Sequence, residues 1–340
     1  MKVVVDSKEL RDVLVIMNEI RGSDLVCFEF FDDFANVFAM NSAAKVSAKV
    51  MCGIEGSSCS KIALNRKEML DIIKRLGKGE SSVSMEVGDG NVNIKGSGGE
   101  FKLKLEEPPE NDSFVIPNNI LTFQFYIETF ARALDRVVYA LPTDIVKSCP
   151  GVVYIVDGRL FYSRDGSRLM RYEEEVFPDI VASRLAISVS NANLLVKAMN
   201  AMVERIGSIG VLDGVMLVEL ENFKIWIKCE DYSSCDFDRI LAEGYKSDVS
   251  IDANVLISML GHIKNVLKSE YVEVKTGSNG IKLNVGRDVE KVFNVQYLID
   301  MLKPVSGQMV ELHCFSDNGE PGGCVSVTAD GGKYRAVVMG

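Results

Sequence analysis

One unit recurs six times along this chain, and that repetition constrains the fold more than any overall property does. Each copy opens with a short alternating strand, passes through a small polar residue and continues as an amphipathic helix. The openings are KVVVDSKEL at Lys2, KIALNRKEM at Lys61, LTFQFYIETF at Leu121, LAISVSNANLL at Leu185, DVSIDANVLI at Asp248 and KVFNVQYLI at Lys291. Ser7, Asn65, Asn191, Asp252 and Asn294 are the expected N-caps, since a short polar side chain can accept a bond from an otherwise unpaired first-turn N–H. Glu68 three residues after Asn65 suggests a capping box. The third copy offers only Thr122 or Gln124.

The helical stripes follow the 3.6-residue period. They are Met69, Ile72, Ile73 and Leu76 in the second copy, Ile127, Phe130, Leu134 and Val137 in the third, and Leu256, Leu260, Ile263 and Leu267 in the fifth. Gly77 and Pro304 are expected stops. Alternating strands follow most helices, punctuated by Gly88-Asp89-Gly90, Asp157-Gly158, Asp165-Gly166, Asn279-Gly280 and Asp330-Gly331. The fold class is therefore α+β, built of six strand–helix–strands units. Linkers at Glu106–Asp112, acidic and proline-rich, and at Leu241–Lys246 group the copies in pairs. Three domains are expected, at 1–112, 113–243 and 244–340.

Chemistry is sparse. The two histidines, His262 and His313, stand in no nucleophile elbow, and Gly96-Ser97-Gly98-Gly99 lacks the P-loop lysine and reads as a turn. Asp32 and Asp33 read as a solvated turn. The eight cysteines form no C-x-x-C pair, which suits buried thiols in a reducing compartment. No catalytic residue, cofactor or metal is expected. No stretch nears the ~18 apolar residues of a membrane span, and the opening Met1-Lys2-Val3-Val4-Val5 lacks a signal-peptide layout. The expected location is the cytoplasm.

The net charge is −10, which argues against a protein covered in phosphate-binding cations. Cations nevertheless recur on the helices away from the apolar stripe. They are Lys8, Arg11 and Arg21; Arg66, Lys67, Lys74 and Arg75; Arg132 and Arg136; Lys197 and Arg205; Lys264 and Lys268; and Lys303. Screening over ~8 Å at physiological salt makes the position of these charges matter more than the total.

Four segments then carry a family resemblance. They are Phe293-Asn294-Val295-Gln296-Tyr297-Leu298-Ile299-Asp300-Met301-Leu302, Ser163-Arg164-Asp165-Gly166-Ser167-Arg168-Leu169, Asp236-Phe237-Asp238-Arg239-Ile240-Leu241 and the ending Tyr334-Arg335-Ala336-Val337-Val338-Met339. In order and spacing they resemble the bacterial DNA polymerase III beta subunit, the replicative sliding clamp, over essentially the whole chain. The resemblance implies a three-domain DNA clamp with helices lining a central hole and antiparallel sheets outside, closed as a head-to-tail homodimer. It implies sequence-independent contact with double-stranded DNA through Arg21, Lys74, Arg75, Arg132, Arg136, Lys197, Lys264, Lys268 and Lys303. It places Phe101 and Leu103 against Val266 and Leu267 at the dimer interface, for which ordinary core packing is an equal reading. It also implies a pocket that takes short linear motifs of DNA polymerase and clamp-loader subunits, formed by Arg164, Gly166, Ser167, Arg168, Leu169, Cys235, Arg239, Ile240, Val337, Val338 and Met339.

The sequence departs from the family pattern at Ser167, where histidine is usual, at Cys235, where proline is usual, and at its end, Gly340, in place of a Pro-Met-Arg-Leu tail. These departures read as a divergent member, phage- or plasmid-borne, with an altered pocket. A peptide-binding adaptor or decoy that keeps the fold without encircling DNA stays open as the alternative.

Overall fold

The computed structural model describes residues 1–56, 61–76, 82–109, 114–139, 151–165, 167–179, 181, 184–231, 249–277, 280–285, 292–315 and 323–339. Six α-helices lie among them: α1 (Ser7–Met17), α2 (Arg66–Leu76), α3 (Ile127–Val138), α4 (Val189–Asn200), α5 (Ala253–Asn265) and α6 (Val295–Leu302). Each follows a strand with no residue between. Those strands are Lys2–Asp6, Lys61–Asn65, Phe123–Tyr126, Arg184–Ser188, Val249–Asp252 and Phe293–Asn294. The sixfold strand–helix repeat read from the sequence is thus present in the fold.

The caps explain the abrupt change from strand to helix. Asn65 Oδ1 accepts the Glu68 N–H at 3.1 Å, Asp252 Oδ1 the Asn254 N–H at 2.7 Å, and Asn294 Oδ1 the Gln296 N–H at 2.9 Å. Two expected caps are corrected. Asp6, not Ser7, caps α1, accepting from the Lys8 and Glu9 N–H groups at 2.9 and 2.8 Å. Its backbone is still extended, whereas Ser7 is already helical, and its carboxylate faces the positive helix end. Ser188, not Asn191, caps α4, its Oγ accepting from the Asn191 N–H at 3.3 Å. Asn191 itself is buried inside the first turn.

The chain forms two compact units, Met1–Glu128 with Asn193–Cys229, and Thr129–Ala192 with Glu230–Gly340. The first is built on one antiparallel sheet in the order Gly99–Lys104, Asn91–Gly96, Ser82–Val87, Lys2–Asp6, Ala44–Glu55, Phe223–Lys228, Val215–Leu220, Ile206–Leu212 and Phe123–Tyr126. Phe34–Met40, Leu25–Phe30 and Lys61–Asn65 extend it from Ala44–Glu55. The pairing of Lys45 with Trp226 carries this sheet from residues expected in the first domain to residues expected in the second. Leu10, Leu14 and Met17 of α1 and Met69, Ile73 and Leu76 of α2 are fully buried. Each such side chain contributes roughly 1.5–3 kcal/mol by leaving water.

Between these helices lies a second correction. Arg66, expected on the solvent face, is 2 % exposed. Its guanidinium donates to the carbonyls of Met17 and Ile20, both at 2.8 Å. The side chain at the start of α2 therefore ties down carbonyls at and just past the end of α1, that of Met17 also accepting from the Ile20 N–H at 3.1 Å.

The second unit has an antiparallel sheet ordered Arg184–Ser188, Val152–Val156, Leu160–Arg164, Arg168–Glu173, Tyr334–Met339, Cys324–Ala329, Met309–Phe315 and Val249–Asp252. A smaller sheet pairs Tyr271–Gly277 with Gly280–Asn284 and with Phe293–Asn294. The stripe of α3, Ile127, Phe130, Leu134 and Val137, is buried as expected. On α5 the stripe is shorter than expected. Leu256, Leu260 and Ile263 are buried, but the helix ends at Asn265, Lys268 takes a left-handed backbone (φ 54°), and Leu267 is 55 % exposed. Pro304 follows α6 in a single 3-10 turn, as its lack of an N–H favours. Gly77 and part of the Asp165-Gly166 and Asn279-Gly280 turns lie outside the described residues. The turn expected at Gly96-Ser97-Gly98-Gly99 is present, with Ser97 and Gly98 joining the paired Gly96 and Gly99.

Candidate functional site

The six helices hold ten Lys and Arg against seven Asp and Glu, a surplus of three in a chain of net charge −10. The nine cations expected to face DNA differ in how far neighbouring groups already engage them.

In the first unit, Lys74 and Arg75 occupy the last turn of α2, where the negative helix end favours cations, and both are exposed. Arg21 is exposed in the loop after α1. None of the three has an ion-pair partner among the described residues. Lys197 on α4 is paired with Glu19.

In the second unit, Arg132 on α3 lies 3.4 Å from Glu174. Burial works against its charge, but Glu174 and Tyr172 hold its pKa above the ordinary arginine value. The Arg136 guanidinium sits 6.0 Å over the Tyr172 ring. Lys264 on α5 donates to Gln296 on α6. Lys303 lies 3.2 Å from Asp300 and 5.9 Å over the Tyr139 ring. Lys268, just beyond α5, is exposed and unpaired among the described residues.

The residues expected to form the peptide pocket fall on two faces of the second unit's large sheet. Arg164 is opposite Leu169, and Leu169 is opposite Val337, so these three share a face. Met339, two residues beyond Val337, shares it and is 46 % exposed. Leu169 and Val337 belong to an apolar cluster with Val152, Tyr154, Tyr162 and Ala186. Arg168 and Val338 pair with each other on the opposite face.

There Arg168, 4 % exposed, reaches Asp165 at 2.7 Å and Asp300 at 3.1 Å, with its guanidinium 4.1 Å over the Tyr297 ring. Asp165 also fixes the turn, accepting from the Ser167 and Arg168 N–H groups at 2.8 Å. The Ser167 carbonyl accepts from the Met339 N–H at 2.9 Å. Gly166, Cys235, Arg239 and Ile240 lie outside the described residues. Sequence reading missed Asp300 and Tyr297 as partners of Arg168, although the Gln-Tyr-Leu-Ile-Asp run puts them on adjacent turns of one helix.

No family model matches the chain, and no curated protein matches it by sequence. Solved structures do match. The DNA polymerase III beta subunit of Thermotoga maritima superposes with a TM-score of 0.81 at 17 % identity, covering 99 % of this chain and 98 % of the other. The beta subunit of Borrelia burgdorferi gives 0.81 at 14 % identity, covering 100 % and 98 %. This chain has the sliding-clamp fold. The DNA polymerase sliding clamp of Bacillus subtilis, at 12 % identity, gives 0.77 over 100 % and 98 % of the two chains.

Several strands of this clamp fold end a sheet among the described residues. Gly99–Lys104 is one end of the first unit's sheet and Gly280–Asn284 one end of the small sheet of the second. Of the residues expected at a dimer interface, Phe101 and Leu103 lie on the former, half-buried and buried. Val266 and Leu267 follow α5, 62 % and 55 % exposed. Among the described residues no helix is long and apolar enough to cross a membrane.

Proposed function

We propose that this protein is a divergent sliding clamp. Two copies close head to tail around duplex DNA, and the ring tethers a replicative polymerase and its loader without catalysing a reaction. The chain then works as three domains, 1–112, 113–243 and 244–340, in the cytoplasm. The observation that carries this reading is the end-to-end match with beta subunits, 98 % or more of both chains at a TM-score of 0.81. The surplus of cations on the six helices of an acidic chain supports it.

The physics of the role is topological. A closed ring holds DNA without needing high affinity, so its phosphate contacts can be few, weak and blind to sequence. Exposed Lys74, Arg75, Arg21 and Lys268 supply such contacts. Gly99–Lys104 and Gly280–Asn284, sheet ends among the described residues, are removed as edges if one pairs with the other across a dimer. The apolar cluster around Leu169 and Val337, rimmed by Arg164, receives the partner's linear motif.

Light scattering across a dilution series tests the assembly. A mass of twice 37.5 kDa, kept on dilution, is expected. A monomer at every concentration removes the two-chain ring and leaves the adaptor.

A further inference from the structure

The first unit's sheet carries a second surface that none of these roles uses. Val37, Val46, Ala48 and Val50 alternate inward and are fully buried, so the residues between them point to the opposite face. On that face cations and aromatic rings alternate across the strands. The Lys61 ammonium lies 5.1 Å and the Lys45 ammonium 4.9 Å from the centre of the Phe38 ring. Lys45 is also 5.8 Å from the ring of Trp226, the chain's one tryptophan. Four residues along the strand from Lys45, Lys49 stands 4.3 Å over the Phe34 ring. Phe34 stacks on Phe31 with centroids 4.6 Å apart, and Phe31 remains 45 % exposed.

The carboxylates here do not match the cations. Lys61 has Glu29 at 3.8 Å and Lys224 has Glu219 at 2.8 Å. Lys45 and Lys49 have no ion-pair partner among the described residues. Burial holds the Lys45 ammonium below its ordinary pKa, with Glu29 opposing and Lys61 adding to the effect. A half-buried cation with a cationic neighbour is stabilised by an incoming anion.

We propose that this face docks an extended acidic peptide segment of a partner protein. Lys45 and Lys49 lie along one strand, about 13 Å apart at ~3.3 Å per residue. Carboxylates four residues apart on an extended peptide match that spacing, while apolar side chains two residues from each carboxylate share its face and meet Phe31 and Trp226. Single-stranded nucleic acid is the weaker fit. Its bases need open ring faces, and here lysine ammonium groups lie over Phe34, Phe38 and Trp226.

The test uses the full chain and a fluorescein-labelled peptide repeating Glu-Ser-Leu-Ser, which spaces its glutamates four residues apart and puts its leucines on their face, with binding followed by anisotropy and by Trp226 emission. The expected result is saturable binding that alters Trp226 emission, weakens with salt, and weakens about tenfold in Lys45→Gln/Lys49→Gln. That variant should keep the wild-type mass and circular dichroism. A glutamine-for-glutamate peptide should bind at least tenfold more weakly. No binding, binding indifferent to these charges, or tighter binding of labelled oligo(dT) overturns the proposal. Because the variant leaves the helix cations and the strands Gly99–Lys104 and Gly280–Asn284 intact, failure here does not touch the clamp reading.

Discussion

The Arg168 guanidinium lies 3.1 Å from the Asp300 carboxylate and ties the strand Arg168–Glu173 to α6. Both side chains are well removed from water, at 4 % and 17 % exposure. Removing Asp300 still leaves the buried Arg168 paired with Asp165 at 2.7 Å, whereas removing Arg168 takes the shared cation from both carboxylates. Asp300→Ala is therefore expected to lower unfolding stability by about 1.5–3 kcal/mol, the size of one lost charge-assisted hydrogen bond, and Arg168→Met to lower it further. Urea unfolding of the two variants checks this, and equal losses would contradict it.

Arg66 makes a related prediction for the first unit. It donates to carbonyls at and just past the end of α1 from the start of α2, so Arg66→Met keeps the side chain's bulk but takes a donor from two buried acceptors, of which Met17 keeps the Ile20 N–H. A drop of about 1–3 kcal/mol is expected, the cost of the one buried carbonyl, that of Ile20, that loses its partner. Denaturant midpoints at constant m-value would measure it.

Glu174 gives a pH signature. Burial alone would raise its pKa, but the Tyr172 hydroxyl at 2.7 Å and the nearby Arg132 and Lys333 hold it below the ordinary glutamate value. A depressed carboxyl pKa contributes stability that is present above the unfolded-state value and lost as pH falls through the folded-state one. Glu174→Gln should therefore be less stable than the parent at neutral pH. The two should converge under acid, below the ordinary glutamate range. A gap that persists or widens in acid would contradict this electrostatic account.

These interactions show what sequence patterns convey. The six strand–helix openings were readable because period and cap chemistry are local. The cap errors were near misses of the same kind: Asp6 stands beside Ser7, and Ser188 lies three residues before Asn191. The role of Arg66 was not readable, because its acceptors are 49 and 46 residues away. The division of the expected pocket had a local signal. Arg168 and Leu169 are neighbours on a strand, as are Val337 and Val338, and adjacent strand residues point to opposite faces. Only the knowledge that both segments are strands, paired in that register, turns the signal into a site.

Free and engaged cations should respond differently to charge reversal. Lys74→Glu/Arg75→Glu changes two exposed residues without ion-pair partners among the described residues. It should weaken duplex binding at low salt and flatten its salt dependence, by roughly 0.9 in log–log slope for each phosphate that is no longer neutralised. Lys197→Glu removes a cation already paired with Glu19, and its effect should be smaller. Fluorescence anisotropy with a labelled duplex at several salt concentrations compares them. A larger effect from Lys197→Glu would contradict the assignment.

Encirclement itself is tested most directly by topology. The protein, concentrated enough to be dimeric, is incubated with a nicked circular plasmid, washed in high salt and passed over a sizing column. The sample is then divided, and the plasmid in one half is cut once with a restriction enzyme. A sliding ring is expected to stay with the circle and to run off the cut DNA. Equal retention on both forms, or no retention on the circle, would contradict the clamp account.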